Sequence, residues 1–241
     1  CNDASVRELE GLELYRKQVV GDEGVIRVVE NGINYQSSAL EGQKTGWFYD
    51  HRANRERIRS LVKGKRVLDL FSYTGAWGVL AAANGAEEVV CVDASKSALD
   101  FVAINARNNG VDQIVHSECG DAFEVLKGLR EEREKFDLVI ADPPAFIQRK
   151  KDIKNGSMAY QRLNKQAIQV LNVGGVLVSA SCSYHFEESA FERVLLQTAR
   201  HLDRHIQIFD RGGQGADHPV LPAIPETRYL KSFISRITSG S

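Results

Sequence analysis

From residue 66 to residue 181 the chain repeats one pattern, a short apolar run of strand length, a turn, and an amphipathic stretch of helical length. Runs at 66–71, 88–92, 114–118, 136–141 and 176–181 read as strands, and the stretches at 76–84, 95–109, 122–132 and 158–173 read as helices. Near-continuous apolar strands are covered on both faces, and parallel neighbours need crossovers about a dozen residues long. The alternation therefore predicts an α/β fold, a doubly wound and mostly parallel sheet between two helical layers.

Both ends add to this frame. After Glu187 a further helix carries Phe191, Val194, Leu195 and Ala199 on one face, followed by two β-like runs, "HIQIFD" and "YLKSFISRI". The Gly- and Pro-rich segment between them, "GGQGADHPVLPAIPET", is too long for a tight hairpin, and loops of that length commonly carry function. Upstream, "VIRVVENGINYQS" is two alternating runs around Asn31-Gly32, a hairpin signal. The expected division is an N-terminal β-hairpin element over 1–45 and an α/β domain over 46–241.

Lys and Arg total 31 against 32 Asp and Glu, which argues against a chain that coats nucleic acid over its whole surface. Two local basic stretches, "HRANRERIRSLVKGKR" and "QRKKDIK", read as solvated faces or as phosphate contacts. Cys1, Cys91, Cys119 and Cys182 form no CxxC pair, so neither a disulfide framework nor a metal site is expected, and a reducing cytoplasm fits best. No apolar run is long enough to span a membrane and no signal peptide is visible. The chain starts at Cys1 with its sole methionine at Met158, the mark of a fragment or a processed product.

The first strand enters "VLDLFSYTGAWG", where Gly75 and Gly78 allow close approach to the backbone and the helix behind them offers unpaired N–H groups. The second strand ends at Asp93 in "VVCVDAS", where a carboxylate can accept from both ribose hydroxyls. Together they imply a nucleoside-containing cofactor, although tight helix packing and helix capping are the plain alternatives for each. NAD and S-adenosylmethionine both satisfy the pattern, but the dinucleotide G-x-G-x-x-G is absent. "ECGDAF" puts Asp121 and Phe123 at the rim, for an adenine or, in the case of Asp121, for a helix cap. "DLVIADPPAF" is the most specific motif, because two prolines after an aspartate leave the sheet stiffly and with free carbonyls.

"DLFSYTGAWG", "VDAS", "GDAF" and "DPPAF" resemble the successive motifs of class I (Rossmann-like) S-adenosylmethionine-dependent methyltransferases. With "GQKTGWFYDHRANR", "SCSYH" and "ADHPVLPAIPETRYLKSF" added, nearly the whole chain resembles the bacterial 23S ribosomal RNA (cytosine-5) methyltransferases of the RlmI-like family. The resemblance implies a seven-stranded sheet with its last strand antiparallel, and an RNA-binding PUA domain upstream that this sequence lacks. It implies cofactor contacts from Lys44, Thr45, Phe48 and Arg52 over the methionine end, with Arg52 or a backbone amide meeting the carboxylate. Asp69, Phe71, Tyr73, Gly75, Asp93, Asp121, Ala122 and Asp142 complete that set.

Cys182 and Asp142 are the catalytic residues that the resemblance implies. Carbon 5 of cytosine is a poor nucleophile until a thiolate adds to carbon 6, and Cys182 lies just past the fifth strand, at the sheet edge where ligands bind in open α/β folds. Asp142 would bond the base, Pro143 and Pro144 would offer carbonyls, and Phe146 would stack on it. One departure matters: a related group has a second cysteine where this chain has Pro144, so the base that removes the carbon 5 proton stays open between Asp142, His185 and water. Two other readings stay open, methylation of a guanine nitrogen and a non-catalytic RNA-binding module with a degenerate pocket. The expected partner is ribosomal RNA, with no membrane and no metal, and the sequence leaves a homodimer open.

Overall fold

The computed structural model describes residues 7–8, 10–13, 24–39 and 46–240. Strands β1 (Val25–Glu30) and β2 (Ile33–Ser38) form an antiparallel hairpin closed by Asn31 and Gly32, both at positive φ. The main sheet holds β3 (Arg66–Leu70), β4 (Glu88–Asp93), β5 (Val115–Cys119), β6 (Phe136–Ala141), β7 (Leu171–Ser181), β8 (Arg204–Gly212) and β9 (Lys231–Ser239). Its order is β5-β4-β3-β6-β7-β9-β8; the first five of these pair in parallel and β9 is antiparallel to both neighbours. The helices are α1 (Arg52–Arg57), α2 (Ala76–Ala83), α3 (Lys96–Asn108), α4 (Ala122–Glu131), α5 (Ile153–Gln169) and α6 (Glu188–His201). No described helix is long and apolar enough to cross a membrane.

The sheet winds outward from β3 to β5, then returns to β6 on the other side of β3. That reversal opens a crevice at the C-terminal ends of β3 and β6, the switch point where ligands bind in such sheets. The motifs that follow β3, β4 and β6 lie at this edge.

Each face of the sheet has its own core. On one side Tyr35, Trp47, Val62, Trp77, Leu80 and Val102 bury together, so the hairpin shares a core with α2 and α3. On the other, Leu68, Leu126, Val139, Leu163 and Leu177 pack under α4 and α5. Gly78 is required for this closeness, because a Cβ there would sit 2.4 Å from the sulfur of Cys91, itself wholly buried. Asn105 of α3 and Asn109 just past its end serve β2 as a neighbouring strand would: Asn105 accepts from Gln36 N at 2.6 Å and donates to Gln36 O at 3.0 Å, and Asn109 treats Asn34 likewise.

Two elements differ from the sequence expectation. α5 starts at Ile153 and ends at Gln169, whereas the periodicity predicts 158–173. β7 starts at Leu171, five residues early, because Gly174 at φ 83° and an irregular register between Phe136 and Leu138 absorb a glycine pair that reads as a loop. The early start of α5 depends on Gly156, where a Cβ would lie 2.2 Å from Ile147 Cγ1 and 2.7 Å from Phe146 O. The helix thus lies directly on the segment that follows DPP.

Candidate active site

The turn after β3 is wound tightly by its own backbone. Phe71, Tyr73 and Gly75 hold φ of 60°, 50° and 82°, and left-handed conformations at two non-glycine residues store strain that surrounding bonds must fix. Asp93 provides one such bond, accepting from Tyr73 N at 2.9 Å and from Ser95 N at 2.8 Å. Tyr73 OH reaches Ser37 Oγ at 3.1 Å, and Phe48 packs edge-on against the Tyr73 ring at 5.6 Å. Asp69 lies wholly buried, accepting from Gly78 N at 2.9 Å while its Oδ1 has no hydrogen-bond partner. Burial pushes its carboxyl well above the usual range, with Asp142 and Asp93 adding to the effect against the Gly78 amide.

At the rim, Asp121 is exposed and caps α4, its Oδ1 accepting from Phe123 N and Glu124 N. Ala122 is buried at the start of that helix. Phe146 is half-buried among rings, 4.9 Å from Tyr160, 6.3 Å from Phe123 and 6.5 Å from Phe71. Pro143 is buried and Pro144 exposed. Lys44 and Thr45 lie outside the described residues.

Asp142 is gripped from two sides. Trp77 Nε1 donates to Oδ2 at 3.0 Å, and His51 Nε2 approaches Oδ1 at 3.3 Å. Burial opposes ionisation of Asp142, but His51, Trp77 and the more distant Arg55 outweigh it and hold the carboxyl below its usual range. The segment that delivers His51 is clamped by a buried ion pair: Arg55 donates to Glu30 Oε1 at 2.5 Å and Oε2 at 2.9 Å, and to Phe48 O at 2.7 Å. Trp47 Nε1 donates to the same carboxylate at 3.0 Å. Sequence reading missed His51, which sat inside a basic stretch read as a solvated face or as phosphate contacts; there Arg52, Arg57 and Arg59 are exposed but His51 and Arg55 are buried.

Cys182 is half-buried between two buried serines. Ser181 Oγ donates to Tyr160 OH at 2.8 Å, Ser183 Oγ meets the same phenol at 3.0 Å, and Ile147 N donates to Ser183 Oγ at 3.1 Å. One tyrosine of α5 therefore fixes both neighbours of the cysteine, and one of those serines anchors the chain after DPPAF. Ala141 stands opposite Ser179, so Asp142 leaves the sheet beside Cys182's strand and two residues short of it. The C-terminal loop closes over this edge: Tyr229 OH donates to Asp50 Oδ2 at 2.8 Å, Gly215 N to Asp50 O at 3.1 Å, and Arg52 pairs with Asp217 at 3.5 Å. Lys231, at the head of β9, donates to Ser183 O at 2.6 Å, a contact that no local pattern in the chain announces.

These residues fit S-adenosylmethionine. The N-terminus of α2 has no side-chain cap at Gly75, leaving first-turn amides at the switch point, and the half-exposed Asp93 keeps lone pairs beyond those its two amides use. When bound, the cofactor supplies an electrophilic methyl group on a sulfonium.

Comparison with known proteins agrees. A curated relative 38% identical over 98% of this chain is the "Ribosomal RNA large subunit methyltransferase I" of Erwinia tasmaniensis, and the chain spans 60% of that relative's length. Among solved structures, a candidate methyltransferase from Streptococcus mutans is 26% identical with a TM-score of 0.79, over 92% of this chain and 57% of the other. The candidate methyltransferase SMU.776, solved with S-adenosylhomocysteine, is 25% identical with a TM-score of 0.80, over 97% of this chain and 64% of the other. The profile of the S-adenosylmethionine-dependent methyltransferases matches residues 20–219, and the chain belongs to that family.

Proposed function

We propose that the protein transfers a methyl group from S-adenosylmethionine to carbon 5 of a cytosine in ribosomal RNA, through a covalent adduct at Cys182. The observation that carries this reading is the position of Asp142 and Cys182 just past the ends of the adjacent parallel strands β6 and β7, beside the switch point, with Trp77 bonded to Asp142 and Tyr160 to the neighbour of Cys182. Similarity to the ribosomal RNA large subunit methyltransferase of Erwinia tasmaniensis supports the substrate class.

A cytosine flipped out of its stack enters the crevice, where the ionised Asp142 accepts a hydrogen bond from its exocyclic amine or from a protonated N3. By favouring the N3-protonated form of the ring, the carboxylate leaves carbon 6 electron-poor. The Cys182 thiolate adds to carbon 6, the electron pair of the double bond moves to carbon 5, and carbon 5 takes the methyl group. The carbon 5 proton then leaves to a base, the carbon–sulfur bond breaks, and its pair restores the sulfur as thiolate while the double bond reforms. Phe146 gives a ring face at the crevice, and Pro143 and Pro144 contribute carbonyls. For Arg52 to meet the cofactor's carboxylate it must exchange its partner Asp217, which is feasible for a half-exposed pair.

RNA containing 5-fluorocytidine tests this. Fluorine cannot leave as a proton, so methylated substrate stays bound through sulfur, and a stable adduct on the Cys182 peptide is expected with wild-type protein and none with Cys182→Ala. Undiminished methyl transfer by Cys182→Ala, or methylated guanine in the RNA product, overturns the reading.

A further inference from the structure

Lys231 opens β9 opposite Ser181 and is 7% exposed. Its side chain ends on the carbonyl of Ser183, so the ammonium sits against the strand end that carries the thiol. Among the described residues it makes no ion pair with a carboxylate. A buried ammonium without an anion is costly, and such groups either lose their proton or find a counter-ion.

The groups around this pair narrow the choice. Glu187 and Glu188, at the start of α6, act on Lys231 from outside contact distance, and both are exposed. Tyr160 from α5 and Tyr229 from the C-terminal loop both feel the sulfur, and burial pushes each phenol up, so both stay neutral. Asp50 is turned toward Tyr229. Among the described groups that act on Lys231 this leaves Cys182, whose neighbour Ser183 supplies the carbonyl that the ammonium bonds.

We propose that Lys231 is a positioning residue that keeps Cys182 as a thiolate, with its ammonium as the counter-ion. The S–H bond breaks, the proton goes to water, the electron pair stays on sulfur, and Lys231 keeps its own protons. Burial, the larger influence, pushes the lysine down to about 8 and Cys182 acts in the opposite direction, so the amine keeps its proton at neutral pH beside the sulfur. The catalytic consequence rests on the reading of Cys182 as nucleophile; the ionic pair itself does not.

The pH dependence of Cys182 alkylation by iodoacetamide, followed on its own peptide by mass spectrometry without RNA or cofactor, tests the pair. The midpoint in the wild-type protein is expected below the ordinary cysteine value of about 8.5. Lys231→Met is expected to raise it by about one pH unit, cutting the rate at pH 7 roughly tenfold, and Lys231→Arg to restore most of the loss. A wild-type midpoint at or above the ordinary value overturns the proposal whatever the variants do, as does an unchanged midpoint in a folded Lys231→Met protein. Because this readout involves no methyl transfer, a depressed midpoint combined with an active Cys182→Ala enzyme would remove only the nucleophile reading, and an ordinary midpoint with a trapped adduct would remove only the pair.

Discussion

His51 Nε2 faces Asp142 Oδ1 at 3.3 Å, which joins the segment before α1 to the loop after β6 at the mouth of the crevice. Asn54 fixes the ring, its amide nitrogen lying 3.2 Å from His51 Nδ1. An amide NH2 only donates, so Nδ1 accepts and the hydrogen on Nε2 points at the carboxylate.

His51→Ala is therefore expected to destabilise the protein by about 1–3 kcal/mol at pH 7, the usual range for a lost hydrogen bond to a charged group. The sign of its pH dependence follows from Asp142, whose carboxyl is depressed in the fold. A depressed carboxyl contributes stability above its unfolded value of about 3.9 and loses it as pH falls through the folded value. The gap between wild type and variant is thus widest at neutral pH and narrows below about pH 4, as urea denaturation at several pH values would reveal. A gap independent of pH would mean that His51 acts by packing alone.

Tyr160→Phe removes the one hydroxyl that holds Ser181 and Ser183. Both serines are buried, so the unmade bonds cost about 1–3 kcal/mol, while the ring packing with Phe186 and Phe191 survives. Cys182, between them, loses its fixed position. Methyl transfer is expected to fall about tenfold to a hundredfold in kcat with cofactor affinity unchanged, since misplacement by an ångström is enough. Single-turnover kinetics beside calorimetry with S-adenosylhomocysteine would separate the two quantities.

Much of this architecture is legible in the sequence, and the unreadable parts have physical reasons. Apolar runs reveal β3, β4 and β6 because a strand covered on both faces can hold little else. Asn31-Gly32 reveals the hairpin because few other pairs tolerate its backbone. Gly156 and Gly174 mislead, since a glycine needed for close packing and one needed for a bend look the same in a sequence as one in a loop. The pocket motifs single out Asp93, Asp142 and Cys182 as candidates. His51, Tyr160 and Lys231 stay hidden because their roles come from partners 91, 21 to 23, and 48 to 50 positions away, contacts that no local pattern encodes.

Arg55 and Glu30 form a pair with both side chains 2% exposed, so breaking it strands a charge in the core. Arg55→Met or Glu30→Gln is expected to cost about 3–5 kcal/mol, whereas the double variant recovers part of that loss, as replacement of whole buried pairs by apolar groups often does. The same pair anchors Phe48 and Trp47, so the single variants are also expected to weaken cofactor binding through the segment that carries Phe48 and Arg52. A double-mutant cycle in guanidinium, with cofactor titration of each folded variant, checks both effects. Additive losses would show that the two residues act independently.

Asp93 combines two duties, and a substitution can tell them apart. Its carboxylate holds the strained turn through Tyr73 N and the start of α3 through Ser95 N, and in the proposed complex it also accepts from the ribose hydroxyls. Asp93→Ala is expected to weaken S-adenosylhomocysteine binding by about tenfold to a hundredfold, the equivalent of hydrogen bonds to a charged acceptor. Affinity for ribosomal RNA fragments is expected to hold, because no phosphate contact is lost. Calorimetry with S-adenosylhomocysteine and filter binding with RNA make the comparison. Unchanged cofactor affinity alongside a lower unfolding temperature would leave Asp93 only its structural duty, since the turn then depends on that carboxylate while the ribose does not.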